Sequence, residues 1–182
     1  LLLLACKTTS HALFPNFVFL DTPFNQHELW RADDPKRYLH EIATMGCRTR
    51  VFENVCGPKT SVGRGNLSFT TMNLPRLAIE ASRRALREMA TFIGYQLHER
   101  YLYQRSALAR QFPFMMGNDV WKGGAALAPQ DEVGSVFDSG TLGIGFIGGH
   151  NAMMALYGEG HGRSDRSWQT LYDAVQMINE VV

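Results

Sequence analysis

The sequence predicts an α/β fold. Strand-like runs at residues 14–21, 48–55, 66–74 and 141–148 are interleaved with helical periodicity at 76–111, 149–158 and from about 166 onward, the alternation expected of α/β proteins. Two of these strands run straight into a helix, one through Pro75 and one through the glycines of GIGFIG. Length and composition agree: 182 residues, 45% hydrophobic and 19% charged, suit one globular domain with a sizeable core.

Taken in order, FPNFVFLD (14–21) is a short aromatic and β-branched run bounded by Pro15 and by DTPFN, which predicts a buried strand. The polar stretch from Asn25 to Lys36 follows, with a turn at Asp33, Asp34 and Pro35. RTRVFENV (48–55) alternates charged and apolar side chains, as a half-buried strand leaving Cys47 does, and Gly46 lets the backbone bend there. CGPKTSVGRGN (56–66) reads as loop, NLSFTTMNL (66–74) as a second strand, and Pro75 suits the first turn of a helix.

From Arg76 to about Gln111 the spacing of Leu77, Ala81, Ala85, Met89, Phe92 or Ile93, Gln96 or Leu97, and Tyr101 predicts one long helix, or two broken near Gly94. Its seven arginines suggest either a phosphate-binding face or a solvated one. The solvated face is favoured, because Glu80 precedes Arg83 and Arg84 by three and four residues and Glu88 follows Arg84 by four. Residues 113–140 read as loop-rich. TLGIGFIG is a compact apolar strand, GHNAMMALYG a helix, GEGHGRSD a break, and a last helix begins near Arg166 with Ser164 or Asp165 as its cap.

A net charge of +1 gives no reason to expect nucleic acid or an anionic membrane as partner. No apolar run approaches the roughly 20 residues that span a bilayer. The opening LLLLAC is too short for a secretory core, and the absence of an initiator Met leads us to expect a piece of a longer protein. Three cysteines with no C-x-x-C pair assemble neither a disulfide framework nor a four-thiolate zinc site, and favour a reducing, cytoplasmic setting.

GIGFIG (143–148) has the G-x-G-x-x-G spacing of a pyrophosphate-cradling turn, but the second strand and acidic residue of a dinucleotide fold do not follow it. Two readings stay open for it: phosphate held by backbone amides, or close packing of strand and helix. His98, His150 and His161 share no metal-ligand spacing, and no G-x-S-x-G elbow occurs. Cys6 beside an apolar run predicts a buried, inert thiol, whereas Cys56 falls in a loop. Cys47 stands between Gly46 and Arg48, with Arg50 close by, so cationic neighbours favour its thiolate. No histidine base partners it in the sequence, and packing and catalysis both remain open for it on these grounds.

KTTS, FPNFVFLDTPFN, MGCRTRV, GRGNLSFTTMNLPRLAIEA, ERYLYQRSALARQFPFMMG, and GIGFIGG with ALYGEGHGRSD, in this order, resemble the anaerobic, class III ribonucleoside-triphosphate reductases over almost the whole chain. The resemblance implies that residues 1–182 are a fragment of the catalytic domain, part of a ten-stranded α/β barrel of the glycyl radical enzyme type that carries the active-site cysteine loop. The regulatory cone, the C-terminal zinc site and the R-V-x-G-Y radical segment of that family are not in these residues.

The activity implied is reduction of ribonucleoside triphosphates to 2′-deoxyribonucleoside triphosphates for DNA replication. Cys47 matches the cysteine that becomes a thiyl radical and takes the 3′-hydrogen of the ribose. A thiol used in that way needs no general base. Asn66 is similar to the asparagine near the ribose hydroxyls, and Gly145 and Gly148 lie in a turn similar to the one near the substrate.

The family further implies a glycyl radical made by an S-adenosylmethionine iron-sulfur activase, formate or a dithiol protein as reductant, a homodimer and a cytoplasmic location, with no metal bound by this segment and the isolated segment inactive. A nucleotide-binding module without chemistry and a different glycyl radical enzyme are the competing readings. GRGNLSFTTMNLPRLAIEA argues against the second, because it resembles the reductases rather than the lyases. Excised barrel strands leave unpaired edges, so the isolated chain is expected to be a poor autonomous folder.

Overall fold

The computed structural model describes residues 1–12, 14–45, 49–51, 54–80 and 83–181. It divides into two compact units, Leu1–Gly65 and Asn66–Val182.

The first unit begins with α1, Leu2–Ala12, none of whose residues is buried. Cys6 is exposed on it, contrary to the buried thiol expected from its apolar neighbours. Burial needs a partner for the apolar face, and within this unit α1 presses no face against a core. The strand expected at 14–21 does not form either. Phe14, Phe17, Val18, Phe19 and Leu20 are exposed, and the backbone acceptors are taken by side chains of the following turn. Thr22 Oγ1 and Asn25 Nδ2 both donate to Phe19 O, at 2.8 and 2.7 Å, and Gln26 Nε2 donates to Asp21 O at 3.0 Å. Side-chain capping of this kind competes with ladder pairing.

The turn at 33–36 is as expected, with Asp34 N–H donating to Arg31 O and Arg37 N–H to Asp34 O. Two short strands, β1 (Ala43–Met45) and β2 (Thr49–Val51), then pair antiparallel in the register Ala43↔Val51, Thr44↔Arg50, Met45↔Thr49. Val51 is buried at 3% exposure. Residues 54–65 form loop held by a local bond from Cys56 N–H to Asn54 Oδ1 and by a longer-range one from Ser61 Oγ to Glu41 O.

The second unit opens with β3, Asn66–Asn73, which leads into α2, Leu74–Ile79, with Pro75 in its first turn and Asn73 Oδ1 accepting from Arg76 N–H. This is the start expected from the sequence, since Pro gives up only an amide that has no helical partner. The long helix α3 runs Arg83–Arg105. Of the two alternatives expected, one long helix or two broken near Gly94, no break occurs at Gly94, which lies inside α3, where its cost of about 1 kcal/mol is tolerated by a helix of this length. The first helix, α2, ends at Ile79 with Glu80 as its C-cap, and residues 81 and 82 lie outside the described residues.

The buried stripe of α3 is Leu86, Ala90, Ile93 and Leu97, one position on from the Ala85 and Met89 expected, and Met89 is 39% exposed. Glu80 pairs with Arg76 at 2.9 Å, while Arg87 pairs with Glu180 and Arg105 with Asp138. These arginines tie the helix to its own fold.

Residues 106–140 hold short 3-10 turns and α4, Pro113–Gly117, around a second core of Ala109, Met116, Trp121, Val133 and Phe137. They lead to β4, Thr141–Ile147, which pairs parallel with β3. A parallel pair needs a crossover of a dozen or more residues, and the stretch from α2 through residue 140 supplies it. Gly148 caps α5, Gly149–Tyr157. Ser164 then caps α6, Asp165–Asn179, by accepting from Ser167 N–H at 3.2 Å.

Met72 and Leu74 pack with the α3 stripe, Ala152, Met153 and Ile178 in the main core. The whole is mixed α/β, and the described strands form two two-stranded sheets.

Candidate functional site

Cys47 lies outside the described residues, together with Gly46 and Arg48. The strands that flank these three residues, β1 and β2, are paired across Met45↔Thr49. Arg50, in the middle of β2, donates through Nη1 to Phe24 O at 2.7 Å and to Asn25 Oδ1 at 2.9 Å.

Asn66 is the first residue of β3, exposed and paired with Thr141. A register shift between Asn66 and Ser68 marks a bulge there, a device that re-aims side chains at strand ends. Beyond it the two faces of the pair separate. Ser68 and Thr70 turn toward α3, where Arg100 Nη1 donates to Ser68 Oγ and Thr70 Oγ1 at 3.3 and 3.0 Å. Phe69 and Thr71 are exposed on the other face, level with Gly143 and Gly145 of β4.

Neither glycine contributes a side chain to this face, and the strands use the room. A Cβ on Gly145 would stand 3.3 Å from Thr71 Oγ1, and one on Gly143 would stand 3.4 Å from Phe69 Cβ. The first two glycines of GIGFIG are therefore strand residues, and only Gly148 makes the turn. It adopts φ +74°, and a Cβ there would meet the Pro75 ring at 2.5 Å. At the start of α5 the first amides have no helical acceptor and point outward, the arrangement that attracts anions.

Gly145 and Gly148 thus lie toward one end of the parallel pair and Asn66 at the other. Gly145 is four residues beyond the level of Asn66, or roughly 13 Å at about 3.3 Å per residue. Thr71 is an exposed hydroxyl on the same open face, and sequence reading passed over it because strand alternation marks a face without saying which face stays open.

The floor of this pair is fixed from below. Tyr101 on α3 donates its phenol to Asp138 Oδ1 at 2.6 Å, just before β4 begins, and Arg105 donates to the same phenol oxygen at 3.4 Å. The Asp138 bond, with burial second, raises the Tyr101 phenol above the usual tyrosine value.

The histidines come together in ways their sequence spacing does not suggest. His150 and His161 meet edge to face with ring centroids 5.9 Å apart, and His27 and His40 stack at 5.0 Å. Among the described residues, no three His, Cys, Asp or Glu side chains cluster as a metal site, and no helix is long and apolar enough to cross a membrane. A largely apolar cavity of about 280 Å³ lies between Leu74, Leu77, Met153, Tyr157 and Met177; none of the candidate residues lines it.

A parallel strand pair with helices on one face and a glycine-bearing open face on the other defines an α/β protein of the crossover type. The chain belongs to the anaerobic ribonucleoside-triphosphate reductase family, whose sequence model matches residues 1–182. It is 34% identical over 132 residues to the anaerobic ribonucleoside-triphosphate reductase of Escherichia coli K12, a match covering 64% of this chain and 18% of that protein. It is 31% identical over 143 residues to the enzyme of the same name from Salmonella typhimurium, covering 73% of this chain and 18% of that protein. Against the Haemophilus influenzae enzyme the identity is 30% over 128 residues. The chain spans about 18% of the length of these relatives.

Proposed function

We propose that this segment is the cysteine-bearing part of the catalytic domain of an anaerobic ribonucleoside-triphosphate reductase, folded in the complete enzyme as part of a ten-stranded α/β barrel. The observation that carries this reading is the family match across residues 1–182, and the resemblance of MGCRTRV, GRGNLSF and GIGFIGG, read in this order from the sequence, supports it.

In this reading the family's glycyl radical, carried outside these residues and installed by an S-adenosylmethionine iron-sulfur activase, supplies the oxidising equivalent that makes Cys47 a thiyl. Cys47 Sγ takes the 3′-hydrogen of the ribose, forming S–H and leaving an unpaired electron on C3′. The 2′-hydroxyl takes up a proton and departs as water, two electrons from formate or a dithiol protein and a second proton complete the new C2′–H bond, and Cys47 returns its hydrogen atom to C3′, which restores the thiyl.

Asn66 offers an amide that donates to one hydroxyl and accepts from another, which orients the ribose. Gly145 leaves room on the open face beside Thr71, and Gly148 lets the α5 amides approach the phosphates. The family reading adds a homodimer and a cytoplasmic location. It places the zinc cysteines and the regulatory cone outside these residues, and makes this segment inactive by itself.

Replacing Cys47 by Ser in the complete enzyme tests the reading. Turnover is expected to fall to background with nucleotide binding retained, because serine keeps the size but its O–H bond is too strong to carry the radical. Unchanged turnover would favour the nucleotide-binding module that the free α5 amides otherwise suggest.

A further inference from the structure

β3 changes its facing within its first three residues. Over residues 69–73 exposure alternates as a strand requires: Phe69, Thr71 and Asn73 are exposed, Thr70 is half-buried and Met72 is buried. The same alternation carried back without a break would put Asn66 on the covered side with Ser68. Asn66 is exposed instead, and Leu67 and Ser68 are both half-buried. Two successive residues on the covered side are what a bulge produces. The register agrees, since Asn66 stands opposite Thr141 and Ser68 opposite Leu142, which leaves Leu67 without a partner on β4. One extra residue flips the facing of what precedes it, and the side chain it turns to the open face is that of Asn66.

Contacts from beneath the strand hold this bulge. Gln104 on α3 donates through Nε2 to Leu67 O at 3.1 Å, so a side-chain amide takes the carbonyl of the residue that the register skips. The Leu67 side chain packs against the second core and uses the room left by Gly140, where a Cβ would stand 2.4 Å from Leu67 Cδ1. Arg100, one turn earlier on α3, donates to Ser68 Oγ and Thr70 Oγ1. Among the described residues Gln104 Oε1 is buried without a partner. A buried acceptor left in that state costs stability, and a methionine would fill the same space without it. What the Gln104 amide contributes here is its donor to Leu67.

We propose that Gln104 is a positioning residue for Asn66: by holding Leu67 O it maintains the bulge that turns the Asn66 amide to the open face of the strand pair. The inference rests on the reading of Asn66 as the side chain that orients the ribose. Asn66 is joined to Leu67 by one planar peptide, so what fixes Leu67 also fixes the direction in which the Asn66 side chain leaves the strand. A displacement of about 1 Å at a group that orients the reacting substrate costs on the order of a hundredfold in rate.

The test is a double-mutant cycle in the complete enzyme with Gln104→Met, Asn66→Ala and the two combined, rates being normalised to glycyl radical content from electron paramagnetic resonance. Asn66→Ala is expected to lower kcat per radical by about 100-fold or more. Gln104→Met is expected to lower it by roughly 10- to 50-fold, with KM changed by less than about twofold. In the Asn66→Ala background the same Gln104→Met change is expected to cost less than about twofold, because the side chain it positions is gone. Gln104→Asn, whose amide is one methylene shorter, is expected to fall between Gln104→Met and the parent. It serves as the readable variant should Gln104→Met fail to accumulate.

An equal loss from the Gln104 change with and without Asn66 would show that Gln104 acts on the fold at large and would overturn the proposal. So would a lower yield of folded enzyme at unchanged kcat per radical, or parent-like rates of both Gln104 variants beside an impaired Asn66→Ala. Parent-like turnover of Asn66→Ala would overturn the reading of Asn66 itself, and the proposal with it.

Discussion

Gly148 combines two demands on one residue: a left-handed backbone at φ +74° and no room for a side chain against Pro75. Gly158, at the other end of α5, has φ +72° with nothing within 4 Å of its missing Cβ. The left-handed conformation alone costs an L-residue about 1–2 kcal/mol, and crowding a packed site adds roughly 1–3 kcal/mol. Gly148→Ala is therefore expected to destabilise the fold more than Gly158→Ala by the second amount, read as a difference in denaturant midpoints at constant slope. Equal losses would mean that α2 and α5 move apart easily and that the contact does not set their spacing. The glycine pattern was legible in the sequence, but its division was not: Gly143 and Gly145 have negative φ in a strand, and only pairing with Phe69 and Thr71 shows why they lack side chains.

Elements whose cause is local could be read directly. The β3–Pro75–α2 junction, the β4–Gly148–α5 turn and the Ser164 cap of α6 each follow from residues within a few positions of one another. The strand expected at 14–21 does not form because a strand needs a partner, and the side chains of Thr22, Asn25 and Gln26 donate instead to the carbonyls of Phe19 and Asp21. The stripe of α3 falls on Leu86 and Ala90, one position beyond the Ala85 and Met89 expected, and then on Ile93 and Leu97, which were among the expected positions; burial there is set by β3, α5 and α6, which a helical period alone does not reveal. Of the candidate site, Asn66 and Gly148 were found on the elements expected, Gly145 stands inside β4 rather than in the turn expected for it, and Cys47 lies outside the described residues.

The junction of α3 with the turn before β4 carries a pH dependence of its own. The Tyr101 phenol is raised in the folded chain, chiefly by donating to Asp138, so the folded state holds that proton more tightly than the unfolded chain does. Its contribution is complete below the unfolded value near 10, and it is lost as pH rises through the higher folded value. Ultraviolet titration is expected to show one tyrosine ionising later than the rest. Tyr101→Phe should abolish that late step and lower stability at neutral pH by about 1.5–3 kcal/mol, the range for a hydrogen bond to a charged group. A titration unchanged by Tyr101→Phe would show that the Asp138 bond does not hold in solution.

At the scale of the whole chain the two units differ in what holds them. Among the described residues of Leu1–Gly65, Val51 is the hydrophobic side chain that is buried, and the other buried groups there are polar: Asn25, His27, Asn54, Thr60 and Ser61. The second unit has two apolar clusters, one of them beneath a 23-residue helix. Apolar burial is the main favourable term in folding, at roughly 25 cal/mol per Å², whereas exchanging water for internal hydrogen bonds yields about 1 kcal/mol each. Local opening should follow that difference.

In native-state hydrogen exchange on the 182-residue chain, the amides of α3, β3 and β4 are expected to be the most protected. Those of α1, β1 and β2 should exchange through openings of much lower free energy. The exposed apolar side chains Phe69, Phe146 and Ile147 on the strand pair, and the unpaired edges of two-stranded sheets, lead us to expect dye-binding hydrophobic surface and a broad unfolding transition for the chain by itself. Uniform protection across both units, with a single sharp transition and no dye binding, would show that Leu1–Gly65 is held as firmly as the rest and that its polar network suffices. It would also remove the reason to expect that this unit needs further burial before a strand such as β2 can hold its place.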